Sequence, residues 1–353
     1  MIDDSLSTRS PVPWAQRRAW LQAIAAVVAS PVLHAGSVFA QSGRPWPRQP
    51  VQLIVPFPVG GPSAILSKHI AQAFERVTGV PMRLIHQGGS GGLLGAGFAA
   101  NAPADGHHLF IGGSSLAVTR ALDLSDEFDL MEDLKPLAMV ATVPQVLVVN
   151  PTRMRSRTVM EWLSDVGRKS ARFRMATAGL GSSSHIGAEM LKQQESLRFE
   201  FVHFKGAGPA LQDLLAGSVD MMVDSLISSL PYIRTGRLKA LVVSGQQRAT
   251  VLPDVPCAQE MGISALEAQT WYGLFAPVGI STAQSKVMVS VLERMGQDTQ
   301  LLASLEAMGI RWGDLYGAAF HAMVKQETLQ WAQRIKAAGL KNYWSSNAED
   351  NGT

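Results

Sequence analysis

Cysteine is nearly absent. Cys257 stands alone among 353 residues, so no intramolecular disulfide can form and stability has to come from a packed core. Long apolar runs are scarce. The most continuous one, residues 19–33, is shorter than the roughly 20 apolar residues a bilayer-spanning helix needs. An excess of one charge is missing too: 31 basic residues face 28 acidic ones, a formal net charge of +3, with no basic run that would track a nucleic-acid backbone. No phosphate-binding P-loop occurs, the glycines near 60, 89 and 179 do not complete G-x-G-x-x-G, and neither H-E-x-x-H nor a paired-cysteine pattern is present for zinc. The adjacent His107 and His108 fall on opposite faces of a strand and are not expected to share a metal. These gaps argue for a protein without cofactor, metal or nucleic-acid partner.

What remains is ordinary globular composition, 46% hydrophobic and 17% charged, on a chain long enough for two domains. Arg17 and Arg18 precede the apolar run, and Val38-Phe39-Ala40 supplies small residues of the kind a signal peptidase cuts after. Residues 1–40 are read as an export signal cleaved after about Ala40. The stretch QRRAWLQ (16–22) resembles a degenerate twin-arginine signal, so the general secretory and the twin-arginine routes both stay open. Removing the segment takes away three arginines and two aspartates and leaves the charge balance near neutral.

Beyond a short Gln/Ser/Gly/Pro linker, strand-like and helix-like segments alternate. Strands are predicted at 51–56, 82–86, 108–112, 146–150, 173–178, 199–204, 219–224, 238–244 and 273–276, with helices between them. Leu66, Ile70, Ala73 or Phe74, and Val77 form one helical stripe closed by Gly79, and Leu211, Leu214 and Leu215 form another closed by Gly217. Repeated βα units imply an α/β fold with mainly parallel sheets and helices on both faces. Two strand, glycine-loop, helix units, near Gly60 and Gly181, lie too far apart for one βαβ unit and suggest two similar lobes facing a cleft. Lobe 1 is assigned to residues 48–144 and 250–353 and lobe 2 to 145–249, with the strand at 146–150 and the segment after Ser244 as crossovers.

Ligands of such sheets bind outside the carboxyl ends of the strands. The loop PFPVGGPS (56–63) opens a helix, and a helix start carries N–H groups without intrahelical partners and a partial positive charge, which together stabilise an anion. Ser63 there can cap the helix or donate to a ligand. In GLGSSSH (179–185), two glycines and three hydroxyls crowd a second helix start, more donors than capping needs. FKGAGPA (204–210) and Asp224-Ser225 end strands that reach the same rim. A third loop, HQGGSGGLLG (86–95), matches the nucleophile-elbow pattern G-x-S-x-G around Ser90, with Asp224 and His321 following as acid and histidine. It leaves an exported serine esterase as the alternative from a different class.

The segments VPFPVGG, GSGGLLGA, GLGSSSH, FKGAGPALQDLLAGSVDMM, LPDVP (252–256) and TWYGLFAP (270–277), in that order, resemble the Bug family, the substrate-binding proteins of tripartite tricarboxylate transporters. The similarity runs from about residue 46 to 340. It implies a non-enzymatic, monomeric, periplasmic protein with the two-lobed type II binding fold, closing on a small carboxylate and presenting the closed form to a membrane transporter. A ligand-sensing role beside a membrane signalling protein is the alternative on the same scaffold. Carried over by position, Phe57, Pro58, Gly60, Gly61 and Ser63 hold the ligand from one lobe, Gly179, Ser182, Ser183, Ser184 and His185 from the other, and Phe204, Asp224 and Ser225 line the floor. Where the family usually reads Ser-Thr-Asp after the glycine pair, this chain has Pro62, Ser63 and Ala64, and where it usually has Asp-Asn, this chain has Asp224-Ser225. The lost carboxylate disfavours amino-acid ligands, so the expected guest is an uncharged-bodied mono- or dicarboxylate.

Overall fold

The computed structural model describes residues 46–121, 128–168, 172–266 and 270–337; the proposed export signal and its cleavage site lie outside them. The first run of elements is β1 (Val51–Val55), α1 (Pro62–Thr78), β2 (Met82–His86), α2 (Leu93–Ala100), β3 (His108–Gly113), α3 (Ser114–Ala121), α4 (Leu130–Asp133) and β4 (Leu134–Val143). After the single residue Pro144 come β5 (Gln145–Val149), α5 (Val159–Gly167), β6 (Phe173–Thr177), α6 (Ser183–Gln194), β7 (Phe199–His203), α7 (Ala207–Ala216), β8 (Met221–Ser225), α8 (Leu226–Arg234) and β9 (Lys239–Val243). The chain then supplies β10 (Thr270–Pro277), α9 (Thr282–Met295), α10 (Thr299–Glu306) and α11 (Gly317–Ala337).

Two five-stranded sheets result, ordered β2-β1-β3-β10-β4 and β7-β6-β8-β5-β9. They repeat one plan. In each, the fourth strand in order is delivered by a crossing from the other sheet, and it runs antiparallel to both neighbours. The pairs β1–β2, β1–β3, β6–β7 and β6–β8 are parallel.

Both faces of each sheet are covered, which is why the strands read as continuous apolar runs. Val51, Leu53 and Val55 pack with Leu66, Ile70 and Phe74 of α1 and with Met288 and Leu292 of α9. Ile54 points the other way, into Phe110, Phe275 and Phe320. Leu147 and Val149 enter a core with Trp162 and Leu191, while Val146 and Val148 face Leu211, Leu214 and Leu230. Local sequence marks the helix ends: Pro62 begins α1 and left-handed Gly79 ends it, Ser182 caps α6, and Ser281 with Gln284 forms a capping box on α9. Among the described residues no helix is long and apolar enough to cross a membrane.

Three features depart from the sequence reading. β4 was not among the predicted strands: Pro136 within LKPLAMVATV argues against a strand, but β4 lies at the end of its sheet, where a missing N–H is tolerated. The stretch 146–150 is itself a strand of the second sheet, and the crossing is Pro144. Finally, Val251, Leu252 and Cys257 pack in one core of the second sheet and Ile263 and Leu266 in the other, so residues 250–266, assigned from sequence to lobe 1, pack with the second sheet. The chain re-enters the first sheet at Thr270.

Trp162 has no exposed surface and its indole N–H points at Met221 Sδ, 3.2 Å away. Trp162→Ala is expected to lower stability by about 3–5 kcal/mol and Trp162→Phe by clearly less; urea unfolding of the two variants beside wild type measures the difference.

Candidate functional site

Four helix starts meet at one cavity of about 50 Å³. Pro62 and Ser63 of α1 and Ser114 and Ser115 of α3 bound it from the first sheet, and Ser183 of α6 and Ala207 of α7 bound it from the second. Phe57, Ile111 and Leu116 supply apolar wall, and Thr270 and Tyr272 of β10 close one side. No lining residue is charged. Anion affinity therefore has to come from backbone N–H groups, hydroxyls and helix dipoles.

Ser63 is central. The N-cap of α1 is Gly61 and no side chain caps the helix, so the expected capping role of Ser63 is not realised. Its residue is 2% exposed, it lines the cavity, and its hydroxyl has no hydrogen-bond partner. A buried hydroxyl left without a partner costs roughly 1–3 kcal/mol, a cost that a hydrogen-bonding guest would relieve. The N–H groups of Ser63 and Ala64 also make no backbone hydrogen bond among the described residues.

On the opposite side the three serines divide their work. Ser182 Oγ–H donates to the Gly179 carbonyl at 2.6 Å and its oxygen accepts the His185 N–H at 3.3 Å. Ser184 Oγ accepts the Ala178 N–H at 2.8 Å and, with Ser182 already committed, donates to Ser182 Oγ at 2.9 Å. Those two hydroxyls hold the loop. Ser183 is half-buried and lines the cavity without sharing in those loop contacts.

Of the thirteen residues singled out from sequence, Phe57, Gly61, Ser63, Ser182 and Ser183 line the cavity. Ser184 and Gly179 shape its loop from behind. Pro58 and Gly60 instead make the seam between the halves: a Cβ on Gly206 would lie 3.1 Å from Pro58 Cγ, and one on Gly208 would lie 3.3 Å from the Val59 carbonyl oxygen. His185 turns away, its ring edge-on to Phe201 and His203, with Nδ1 accepting the Gly181 N–H at 3.4 Å. Burial, helped by the charges of His203 and Lys192, drives its pKa down to about 3. Phe204 is outside the lining and donates its N–H to the Thr177 carbonyl. Asp224 lies beneath the floor, accepting the Ser228 and Ser229 hydroxyls at 2.7 Å each, and burial pushes its carboxyl up to about 6. Ser225 sits against Tyr272, whose phenol is raised by burial and by the Asp224 charge.

Sequence reading missed the start of α3 and the start of β10. A signal for the first exists in IGGSSLA (111–117), a strand, two glycines and two hydroxyls at a helix start, the same grammar as the two loops that were recognised. Tyr272 was quoted within TWYGLFAP without a role.

Ser90 stands elsewhere. It begins a short 3₁₀ turn at φ 47° and borders an open groove with Phe98 and His108, and it makes no hydrogen bond to a histidine among the described residues. Asp224 is committed to Ser228 and Ser229, and His321 is exposed on α11. The acid and base that the hydrolase alternative needs are not assembled around Ser90. Among the described residues no group of three or more His, Cys, Asp or Glu side chains is placed to hold a metal ion.

Residues 66–340 match the model of the tripartite tricarboxylate transporter family receptor. The chain belongs to that receptor family. BugT of Bordetella pertussis strain Tohama I is 29% identical over 321 residues, 90% of this receptor and 97% of BugT. The solved periplasmic binding protein BugD superposes with a TM-score of 0.79 at 27% identity, covering 83% of this receptor and 99% of BugD. MatC from Rhodopseudomonas palustris, solved with bound malate, gives a TM-score of 0.76 at 28% identity, covering 82% of this receptor and 99% of MatC. The receptor thus has the α/β two-lobed fold of periplasmic binding proteins.

Opposed pH slopes follow from the two buried titrating groups. Asp224 is raised from 3.8 to about 6, so the folded receptor holds the extra proton in that window and its stability falls as pH rises through it. His185 is depressed from 6.5 to about 3, so stability falls as pH drops through that window. Relative to wild type, Asp224→Asn should gain stability from pH 4 to 6, by at most about 1.4 kcal/mol per pH unit, and His185→Asn should gain it in the acid direction. Urea midpoints measured across pH 4–7 test both, and curves parallel to wild type would contradict the assignment.

Proposed function

We propose that this receptor captures a small carboxylate between its two lobes in the periplasm, without chemical turnover, and delivers it as a monomer to a tricarboxylate-type membrane transporter. The observation that carries the reading is the partnerless buried hydroxyl of Ser63, set among helix starts in a cavity with no charged wall. Such a site suits an anion whose charge is spread over two oxygens, because several N–H and O–H donors can share it. The malate bound by MatC and the periplasmic setting of BugD support the ligand class and the compartment. An export signal in residues 1–40 agrees with that compartment, and membership of a transporter receptor family supports the transporter as partner.

Binding and closure are one process on this reading. Donors from α1 and α6 reach a common guest only with the cleft shut, so the ligand shifts the open and closed populations by its differential affinity. The site residues proposed from sequence serve in two ways: Ser63 and Ser183 by direct donation, and Pro58 and Gly60 by forming the surface that closes.

Thermal-shift screening of the mature protein against a panel of carboxylates is expected to raise the melting temperature for at least one member. Ser63→Ala and Ser183→Ala should each weaken that ligand by about 1 kcal/mol or more in calorimetric titration while leaving the unliganded melting temperature close to wild type. Tight binding of an amino acid with no response to any plain carboxylate would overturn the reading, as would labelling of Ser90 by a fluorophosphonate probe with turnover lost in Ser90→Ala.

A further inference from the structure

Ser114, Ser183 and Thr270 also line a second, neighbouring pocket of about 20 Å³. Three of its walls are apolar, from Val118, Ile186 and Trp331, and its one large polar side chain is Gln145. Gln145 is 8% exposed, and neither its Oε1 nor its Nε2 makes a hydrogen bond among the described residues. The carboxamide thus keeps its donor and acceptor available where it borders the side pocket.

Its placement is also firm. Gln145 is the first residue after the Pro144 crossing, and Ser244 grips its backbone from both directions: Gln145 N–H donates to Ser244 Oγ and Ser244 N–H donates to the Gln145 carbonyl, each at 2.8 Å. On α6, Gly187 makes room for the amide, since a Cβ there would lie 3.1 Å from Gln145 Oε1.

We infer that Gln145 is a specificity-determining ligand contact, and that the guest is a compact monocarboxylate bearing one neutral hydrogen-bonding group, a hydroxyl or a carbonyl, which the Gln145 carboxamide receives in the side pocket. This rests on the carboxylate reading above and narrows it. An uncharged carboxamide both donates and accepts, so it matches either substituent. A second carboxylate in that pocket would face apolar walls with no cation to offset its desolvation. The main cavity, about 50 Å³, and the side pocket, about 20 Å³, are both small, which favours a compact guest.

Isothermal titration of the mature protein with lactate, pyruvate, propionate and malate decides the matter. Lactate or pyruvate should bind about tenfold or more tighter than propionate, which has the same size without the polar group, and tighter than malate. Gln145→Leu should bring the better of the two to within about threefold of propionate while propionate itself binds as to wild type. Gly187→Ala, which keeps Gln145 but crowds its amide, should erode the same preference and guards against a folding defect in the first variant. If carboxylates bind but malate is preferred, or the ratio to propionate is unmoved in both variants, the inference fails and the carboxylate reading stands. If no acid of the panel binds, both fall.

Discussion

A helix start exposes N–H groups that its own helix cannot satisfy, and in this receptor two such starts from one sheet and two from the other are brought to the same space. That convergence is a consequence of sheet topology. The parallel strands of each half end at the cleft, so the helices following β1, β3, β6 and β7 all begin there, and the antiparallel strand in each sheet is the one that carries the chain between the halves. A helix dipole alone contributes about 0.3–1 kcal/mol, but in a cavity without charged walls the four face the same space as the unpaired Ser63 hydroxyl.

Closing two lobes over so small a space demands smooth facing surfaces, and glycine supplies them. The loop from Phe57 to Gly61 meets Gly206 and Gly208 at the head of α7, and the turn at Gly91 comes within reach of the Leu180 carbonyl, close enough that side chains there would hold the halves apart. On the opposite side the halves stay joined: Arg234 donates to the Ala307 carbonyl and Ile227 of α8 packs into the core of the first sheet. The donors at the mouth and the joint at the back have different roles, and the glycines belong to the mouth.

Buried titratable groups around the site support it without touching the space. His185 stays neutral so that Nδ1 can accept the Gly181 N–H, which ties α6 to the loop before it. Asp224 takes two serine hydroxyls from α8 and lies below the Tyr272 and Ser225 contact between β10 and β8. Neither residue is in the cavity lining, and the hydrogen bonds of both side chains go to the surrounding frame.

Periodicity, glycine loops and helix-cap residues were sufficient by themselves to determine the βα alternation, most strand positions and the two principal anion-facing loops, because those features depend on local hydrogen bonding and on which face of a segment is apolar. The same grammar is present in IGGSSLA (111–117), which carries no more distinctive motif than two glycines and two serines. What tertiary structure alone decided was which hydroxyls of a run such as Ser182-Ser183-Ser184 are consumed by the loop and which remains free to donate, where residues 250–266 pack, and that Gln145 borders the side pocket. Each of these turns on contacts between segments distant along the chain, Gln145 with Ser244 and Gly187, Leu266 with the second sheet, and long-range contacts of that kind leave no periodic mark in the sequence.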